Sequence, residues 1–292
     1  MEIDVKLFYT HYQINYFSYK QSSLEFLIDN YSKTKAKELL FNYKDNDYLN
    51  SIRCDIRQTY FQAIETVFEL FYALIPEKGG KIDGNPIEII ARAKFPYEKI
   101  TEISKSKSKL DILDKQLEYG GIKTSLGEFL FYFGQYTNKD LKGDISLSLT
   151  AIKHLLFLLA IDFSDRREYN SYKHGLRIIP AWKEMKIIDA ETQENYISFD
   201  LSNAVTFFTF DNKKNETAYR TKVLDSNRDI RMTHLCTMLI WNMIKFREIV
   251  INKKEKDKDY KYEIPLFGVD EINKAAETNV RIQDIVYSKI DK

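Results

Sequence analysis

The chain has 292 residues, of which 44% are hydrophobic and 30% are charged, so its composition excludes the disordered and fibrous classes of protein. Its 44 lysines and arginines nearly balance its 43 aspartates and glutamates. This balance argues against a broadly basic nucleic-acid-binding surface and leaves a local basic patch open. Only 10 glycines and 5 prolines occur, and so few chain-breaking residues disfavour a many-turned all-β sandwich and a glycine-rich cofactor fold.

Apolar residues in the first half recur at the three-and-four spacing of helices that bury one face. The clearest helix is predicted at residues 54–75 and is ended by Pro76. Its predicted buried side chains are Ile56, Tyr60, Ile64, Val67, Phe68, Phe71 and Leu74. Arg53 and Arg57 lie near its start, where a solvated helix end is expected and a basic patch is the alternative. Further helices are predicted at residues 23–43, 87–93, 100–117 and 125–133.

The second half begins with helices and then changes its period. Residues 146–163 are apolar almost all round, which predicts a central core helix, and a shorter helix at 165–173 is stopped by Gly175. Strands are then predicted at residues 185–188, 197–201, 205–210 and 217–224, which together form an antiparallel β-meander within residues 184–226. A long final helix is expected at 228–251. Residues 252–292 are expected to form a charged linker and a C-terminal tail.

These patterns predict a mainly α, α+β fold. We expect one helix-dominated domain over residues 1–292, a helical bundle with the meander inserted before its last long helix. Cys54 and Cys236 are far apart and belong to no CxxC pattern, so reduced thiols and a cytoplasmic protein are expected. No signal-peptide pattern occurs at the N-terminus and no uninterrupted apolar window is long enough to cross a bilayer, so no membrane association is expected.

Sequence motifs exclude several well-marked enzyme classes. The chain has no HExxH, GxGxxG, P-loop or GxSxG pattern, which removes the corresponding metalloprotease, nucleotide-binding and α/β-hydrolase readings. Its four histidines form no cluster with cysteines, and its acidic residues form no spaced pair that stands out from a solvated helix face. We therefore predict neither a bound metal nor a cofactor.

One group of side chains has the composition of a catalytic site. It lies in the predicted helix at 165–173 and the residues that follow it. Arg167, Asn170 and His174 follow three-then-four spacing and share one helix face, with Arg167 and His174 about 10 Å apart along the axis. An arginine can hold a scissile phosphate and stabilise its developing charge, while a histidine takes or returns a proton near neutral pH. These side chains suit RNA cleavage without a metal ion. Asn170, Tyr172 and Lys173 would then position the RNA backbone or bases.

Tyr169 and Tyr172, in the same segment, are candidates for stacking on unpaired RNA bases. Arg167, six intervening residues and His174 resemble the Arg-x(4–6)-His motif of the HEPN superfamily, whose members are helical bundles. The resemblance implies a metal-independent endoribonuclease, or a catalytically silent RNA-binding relative, with Arg167 and His174 as catalytic residues. It also implies a homodimer that pairs two motifs, and a role in a toxin–antitoxin or phage-defence system with an antitoxin or regulatory protein as partner.

Other readings of the same residues remain open. His174 can be a cation at the negative end of a helix dipole, and Arg167 can form an ion pair with Asp162 or Asp165. The chain as a whole can be a non-enzymatic interaction or regulatory protein that binds a protein partner through its sheet or through exposed aromatic residues. A small-ligand sensor with a pocket between helices is a further alternative.

Overall fold

The computed structural model describes residues 4–39, 41–76, 86–92, 96–135, 137–173, 178–180, 184–188, 192, 195–211, 216–252, 263–278, 280 and 284–288. Its helices confirm that the chain is mainly helical. They are α1 (Val5–His11), α2 (Tyr16–Asp29), α3 (Ala36–Leu39), α4 (Asp45–Ala73), α5 (Pro86–Arg92), α6 (Tyr97–Lys105), α7 (Leu126–Phe131), α8 (Lys142–Phe163), α9 (Arg166–Lys173), α10 (Ser226–Asn252) and α11 (Val269–Ala276).

Helix α4 is the predicted helix at 54–75, and it begins earlier, at Asp45. Asp45 and Asp47 lie in its first turn, where acidic side chains favour the positive end of the helix dipole. The seven apolar side chains predicted to be buried are each at most 2% exposed. The prediction of this buried face is therefore confirmed.

The predicted helix at 23–43 is interrupted in the structure. Helix α2 ends at Asp29, and a short 3₁₀ turn (Tyr31–Lys33) separates it from α3. The side-chain amide of Asn30 donates a hydrogen bond to the carbonyl of Phe26 at 3.0 Å. Such local side-chain bonds compete with helix continuation, which explains the break.

The predicted helix at 100–117 is wrong at its C-terminal end. Helix α6 stops at Lys105, a 3₁₀ helix (Lys107–Asp114) follows, and Leu117 lies in strand β1 (Gln116–Tyr119), which pairs with β2 (Ile122–Ser125). Gly120 and Gly121 join the strands, with φ of 58° and 77°. Two positive-φ residues in a two-residue loop give the turn whose twist matches a hairpin, so this Gly-Gly pair fixes the hairpin.

Six further strands are described; the middle four lie close to the predicted positions, but the six do not form one meander. They are β3 (Ile178–Pro180), β4 (Glu184–Ile188), β5 (Asn195–Asp200), β6 (Ala204–Asp211), β7 (Glu216–Val223) and β8 (Asp284–Ser288). One sheet has the order β3-β6-β7-β8, whereas β4 and β5 pair only with each other. All of these pairings are antiparallel. Strand β3 pairs with the edge of β6 that β5 would occupy in a meander, and β8, from the segment expected to be a tail, pairs with the other edge of β7.

The chain divides into two compact units. Unit 1 comprises Met1–Ser18, Gln62–Ser164 and Arg231–Ala276, and unit 2 comprises Tyr19–Phe61, Asp165–Ile230 and Glu277–Lys292. Helices α4 and α10 contribute residues to both units.

The core of unit 1 is built around α8, which packs against α6, α7 and α11. Nine residues of α8 are buried, among them Ile152, Leu156 and Phe163. Within the described part of the chain, α8 is also the one helix long and apolar enough to cross a membrane, a test that a soluble core helix passes equally well.

The core of unit 2 joins helices to the four-stranded sheet. Leu24 of α2 and Ile52 and Ile56 of α4 form one apolar cluster, and the side-chain amide of Gln21 donates to the Ile56 carbonyl at 3.0 Å. Helix α9 packs against β6. Unit 2 also contains residues 165–173, the described part of the segment in which the sequence analysis places the candidate catalytic residues.

Candidate functional site

The site is built on α9, whose N-terminal end is fixed by Asp165. One carboxylate oxygen of Asp165 accepts a hydrogen bond from the backbone N–H of Glu168 at 3.2 Å, as an N-cap residue does. The other oxygen forms an ion pair with Arg220 of β7. Asp165 therefore both starts α9 and ties its first turn to the sheet.

The inward face of α9 carries a fully buried carboxylate, that of Glu168, which is 0% exposed. Its Oε1 atom accepts from Arg57 Nε of α4 at 3.0 Å and from the Tyr172 hydroxyl at 3.1 Å. Its Oε2 atom accepts from Lys222 Nζ of β7. One carboxylate thus joins two helices and a strand of unit 2.

Arg57 extends this cluster to a fourth element. Its Nη1 atom donates to Asp229 of α10 at 2.7 Å, and its guanidinium lies 4.6 Å from the ring centroid of Phe61. The expectation that Arg57 lies at a solvated helix end is wrong, because α4 begins at Asp45 and Arg57 is 6% exposed in its interior. We call Arg57, Glu168, Lys222 and Asp229 the ionic cluster. Its two formal positive and two formal negative charges balance.

The charge balance of the cluster sets the protonation of Glu168. Burial alone raises the pKa of this carboxyl, but the adjacent Arg57 and Lys222 outweigh burial and lower the pKa to about 2. Burial, together with the neighbouring Glu168 charge, raises the pKa of Tyr172 well above its ordinary value. Glu168 is therefore an anion, and Tyr172 a neutral hydrogen-bond donor, throughout the physiological pH range.

The two tyrosines of α9 do not lie where the RNA-stacking prediction requires. Tyr169 is 3% and Tyr172 is 5% exposed, and both rings pack against Phe61, with centroids 5.3 Å and 6.2 Å away. Tyr172 also contacts Phe207 of β6 at 6.4 Å. Because α9 needs an apolar side to pack on the sheet, these rings form that side and offer no open face to a base.

The outward face of α9 carries the other predicted residues. Arg167 and Lys173 are exposed and Asn170 is half-buried. Lys173 Nζ lies 4.0 Å from the ring centroid of Tyr169, which holds an exposed cation at the end of the helix. His174 lies outside the described residues, directly after the last residue of α9.

Arg167 differs from the other arginines of this region. Among the described residues it has no ion-pair or hydrogen-bond partner for its guanidinium, and Asp165, one predicted partner, is bound by Arg220 instead. An exposed guanidinium of this kind is available to bind a phosphate through two parallel N–H donors.

Metal and thiol chemistry find no support in this region. Over the described ranges, no group of three or more histidine, cysteine, aspartate or glutamate side chains could hold a metal ion. Cys54 and Cys236 are free and buried, and burial raises the pKa of the Cys54 thiol to about 12 and that of Cys236 as well. Both thiols are unreactive at neutral pH.

Comparisons with known proteins leave the family open: no model of a protein family matches the chain, and no curated protein or solved structure matches it.

Sequence reasoning missed the ionic cluster, although one signal for it was present. Arg57 follows the three-and-four spacing of Tyr60, Phe61 and Ile64, so the apolar face of α4 itself contains a cation. Glu168 likewise precedes Tyr172 by four residues on the apolar side of α9. A charge within a buried face predicts a buried partner, but the sequence does not show which acid supplies it.

Proposed function

We propose that unit 2 binds RNA through the outward face of α9 and cleaves it without a metal ion, as the HEPN resemblance implies. One observation carries the proposal: α9 is anchored on its inward side, so the exposed Arg167 and Lys173 and the half-buried Asn170 share its outward side. His174, which follows in sequence, would supply the titratable group.

The chemistry assigns a different role to each residue. The Arg167 guanidinium would bind the scissile phosphate and stabilise the negative charge that develops on it. The His174 imidazole would take the proton of the attacking 2′-hydroxyl or return one to the leaving oxygen. Lys173 and Asn170 would contact the neighbouring backbone. A homodimer that pairs two such faces, and a toxin–antitoxin or phage-defence role, belong to the same proposal.

The test is cleavage of single-stranded RNA by the purified protein in the presence of EDTA. His174→Ala is expected to lower the rate by about 100- to 10,000-fold, since that is the usual contribution of a general acid or base. Arg167→Ala is expected to be similarly damaging, and Arg167→Lys to restore only part of the rate because its single ammonium lacks the planar fork of donors.

Arg92→Ala is the matched control. Arg92 is exposed on α5 and pairs with Glu88, so this change removes an arginine from the surface without touching α9, and the rate should stay unchanged. If the wild-type protein leaves RNA intact and Arg167→Ala binds RNA as tightly as the wild type, the proposal is wrong. RNA binding without cleavage, weakened by Arg167→Ala, would identify a catalytically silent relative.

Exposed aromatic side chains favour a second candidate function, the binding of a protein partner. Tyr19 and Phe26 of α2 are 68% and 65% exposed, and Phe41 is 95% exposed. Aromatic residues are enriched in the buried centres of protein interfaces. A Tyr19→Ser/Phe26→Ser variant that retains RNA cleavage but loses a co-purifying partner would support this function.

A further inference from the structure

Helix α9 depends on its surroundings for its position. It has eight residues, fewer than an isolated helix needs to be stable in water. Its apolar contacts come from Tyr169 and Tyr172, and packing of aromatic rings is less directional than hydrogen bonding to a charge. Packing alone therefore leaves the rotation of α9 about its axis weakly defined.

The contacts of Glu168 are directional. Arg57 and Lys222 approach different oxygens of its carboxylate and come from α4 and β7. Rotation of α9 would withdraw the buried Glu168 carboxylate from both of its cations at once, which is strongly disfavoured. A buried ion pair adds little stability compared with apolar residues of similar size, so its known value lies in selecting one arrangement over others.

We propose that Glu168 is a positioning residue: held by Arg57 and Lys222, it fixes the rotation of α9 and thereby directs Arg167 to the outside. The expected effect of Glu168 on catalysis rests on the proposed function. The rotation of α9 is itself measurable without activity.

The decisive variant is Glu168→Gln/Lys222→Met, which removes one negative and one positive charge and leaves Arg57 paired with Asp229. Because the buried charges stay balanced, this variant is expected to fold where Glu168→Gln alone does not. With this restraint on the rotation of α9 removed, kcat is expected to fall by about 100-fold, the usual result of misplacing a catalytic group by about 1 Å. KM should stay within about threefold because Arg167 and Lys173 keep their charges. Glu25→Gln, an exposed change on α2, is the control and should leave both constants unchanged.

Cysteine labelling reports the rotation directly, because Cys54 and Cys236 are buried and unreactive. Arg167→Cys places a thiol at an exposed position of α9, and Ser171→Cys places one at a buried position, where Ser171 is 1% exposed. In the otherwise wild-type protein, maleimide should label position 167 faster than position 171 by about 100-fold, since labelling of the buried position requires local opening. In the Glu168→Gln/Lys222→Met background this ratio should fall below about tenfold.

The two proposals fail in different ways. If the wild type cleaves no RNA but the labelling ratio falls in the double variant, the proposed function is wrong and the positioning role of Glu168 stands. If the folded double variant keeps the wild-type labelling ratio, and an active wild type and the variant share the same kcat, the inference is wrong. Glu168 then does not position α9. A ratio that falls together with kcat supports both.

Discussion

The two units satisfy their buried polar groups by different means. In unit 1 the interior network is neutral: the Tyr132 hydroxyl bonds Ser148, Ser148 Oγ accepts from the Phe267 N–H at 2.7 Å, and the Asn242 amide donates to the Pro265 carbonyl at 3.1 Å. In the described part of unit 2 the interior contains three formal charges, those of Arg57, Glu168 and Asp229, and the half-buried Lys222 completes the ionic cluster. Neutral networks tolerate the loss of one member better than charged ones, because an unpaired buried charge costs more than an unpaired dipole.

Unit 1 also contains a buried cation, Arg247, but its hydrogen-bond partners are neutral backbone carbonyls. Arg247 is 3% exposed and donates to the carbonyls of Phe129, Leu130 and Met243 at 2.8–3.0 Å. Two of these carbonyls belong to the last turn of α7, where a positive charge complements the helix dipole. Removal of Arg247 takes a donor from neutral carbonyls, whereas removal of Arg57 takes a shared cation from two buried carboxylates, Glu168 and Asp229.

The largest effect is therefore expected from Arg57→Met in unit 2. This change leaves Glu168 and Asp229 without their shared cation and should lower the free energy of unfolding by about 3–5 kcal/mol. Urea denaturation at pH 7 measures it. Arg53→Met, one turn earlier on α4 and half-buried with a bond to Asn50, is the matched control and should cost about 1 kcal/mol or less. Equal losses in the two variants would contradict a special role for the cluster.

Lowering the pH should reduce the free energy of unfolding through the same ionic cluster. The pKa of Glu168 is about 2 in the folded protein, against 4.5 for an ordinary glutamate. Because the folded pKa is lowered, its stabilisation is complete above pH 4.5 and is lost as the pH falls towards 2, by about 3 kcal/mol in total. Urea denaturation of the wild type and of Glu168→Gln/Lys222→Met from pH 6 to pH 2 checks this, since the double variant lacks the titrating group. A constant difference between the two proteins across this range would rule the prediction out.

A smaller loss is expected from Arg247→Met in unit 1. The carbonyls that lose their donor are neutral, so we expect a decrease of about 2 kcal/mol in the free energy of unfolding. Arg231→Met is the control, because exposed Arg231 donates one bond to the Ala275 carbonyl and its loss should cost about 0.5 kcal/mol or less. A loss with Arg247→Met that matches or exceeds that of Arg57→Met would overturn the comparison between the units.

The sequence by itself determined the elements whose periodicity is local. The buried face of α4, the core helix α8, the short helix α9 and four of the eight described strands follow from spacing alone, because the apolar side of a helix or strand repeats every three to four or every two residues. The mainly α, α+β class follows from the same spacing. Spacing also places Arg167 and Asn170 on one side of α9, since residues three apart in a helix lie on the same side.

Only the tertiary structure decided which long-range partners meet. The pairing of β7 with β8 joins segments separated by the whole of α10, and no local pattern encodes such a pairing. Glu168 finds Arg57, 111 residues away, and Arg57 finds Asp229, 172 residues away. A charged side chain has the same local signature whether it is solvated or paired in a core. Its role depends on the burial and the partner that folding supplies, and for this reason Arg57 and Glu168 became visible only in three dimensions.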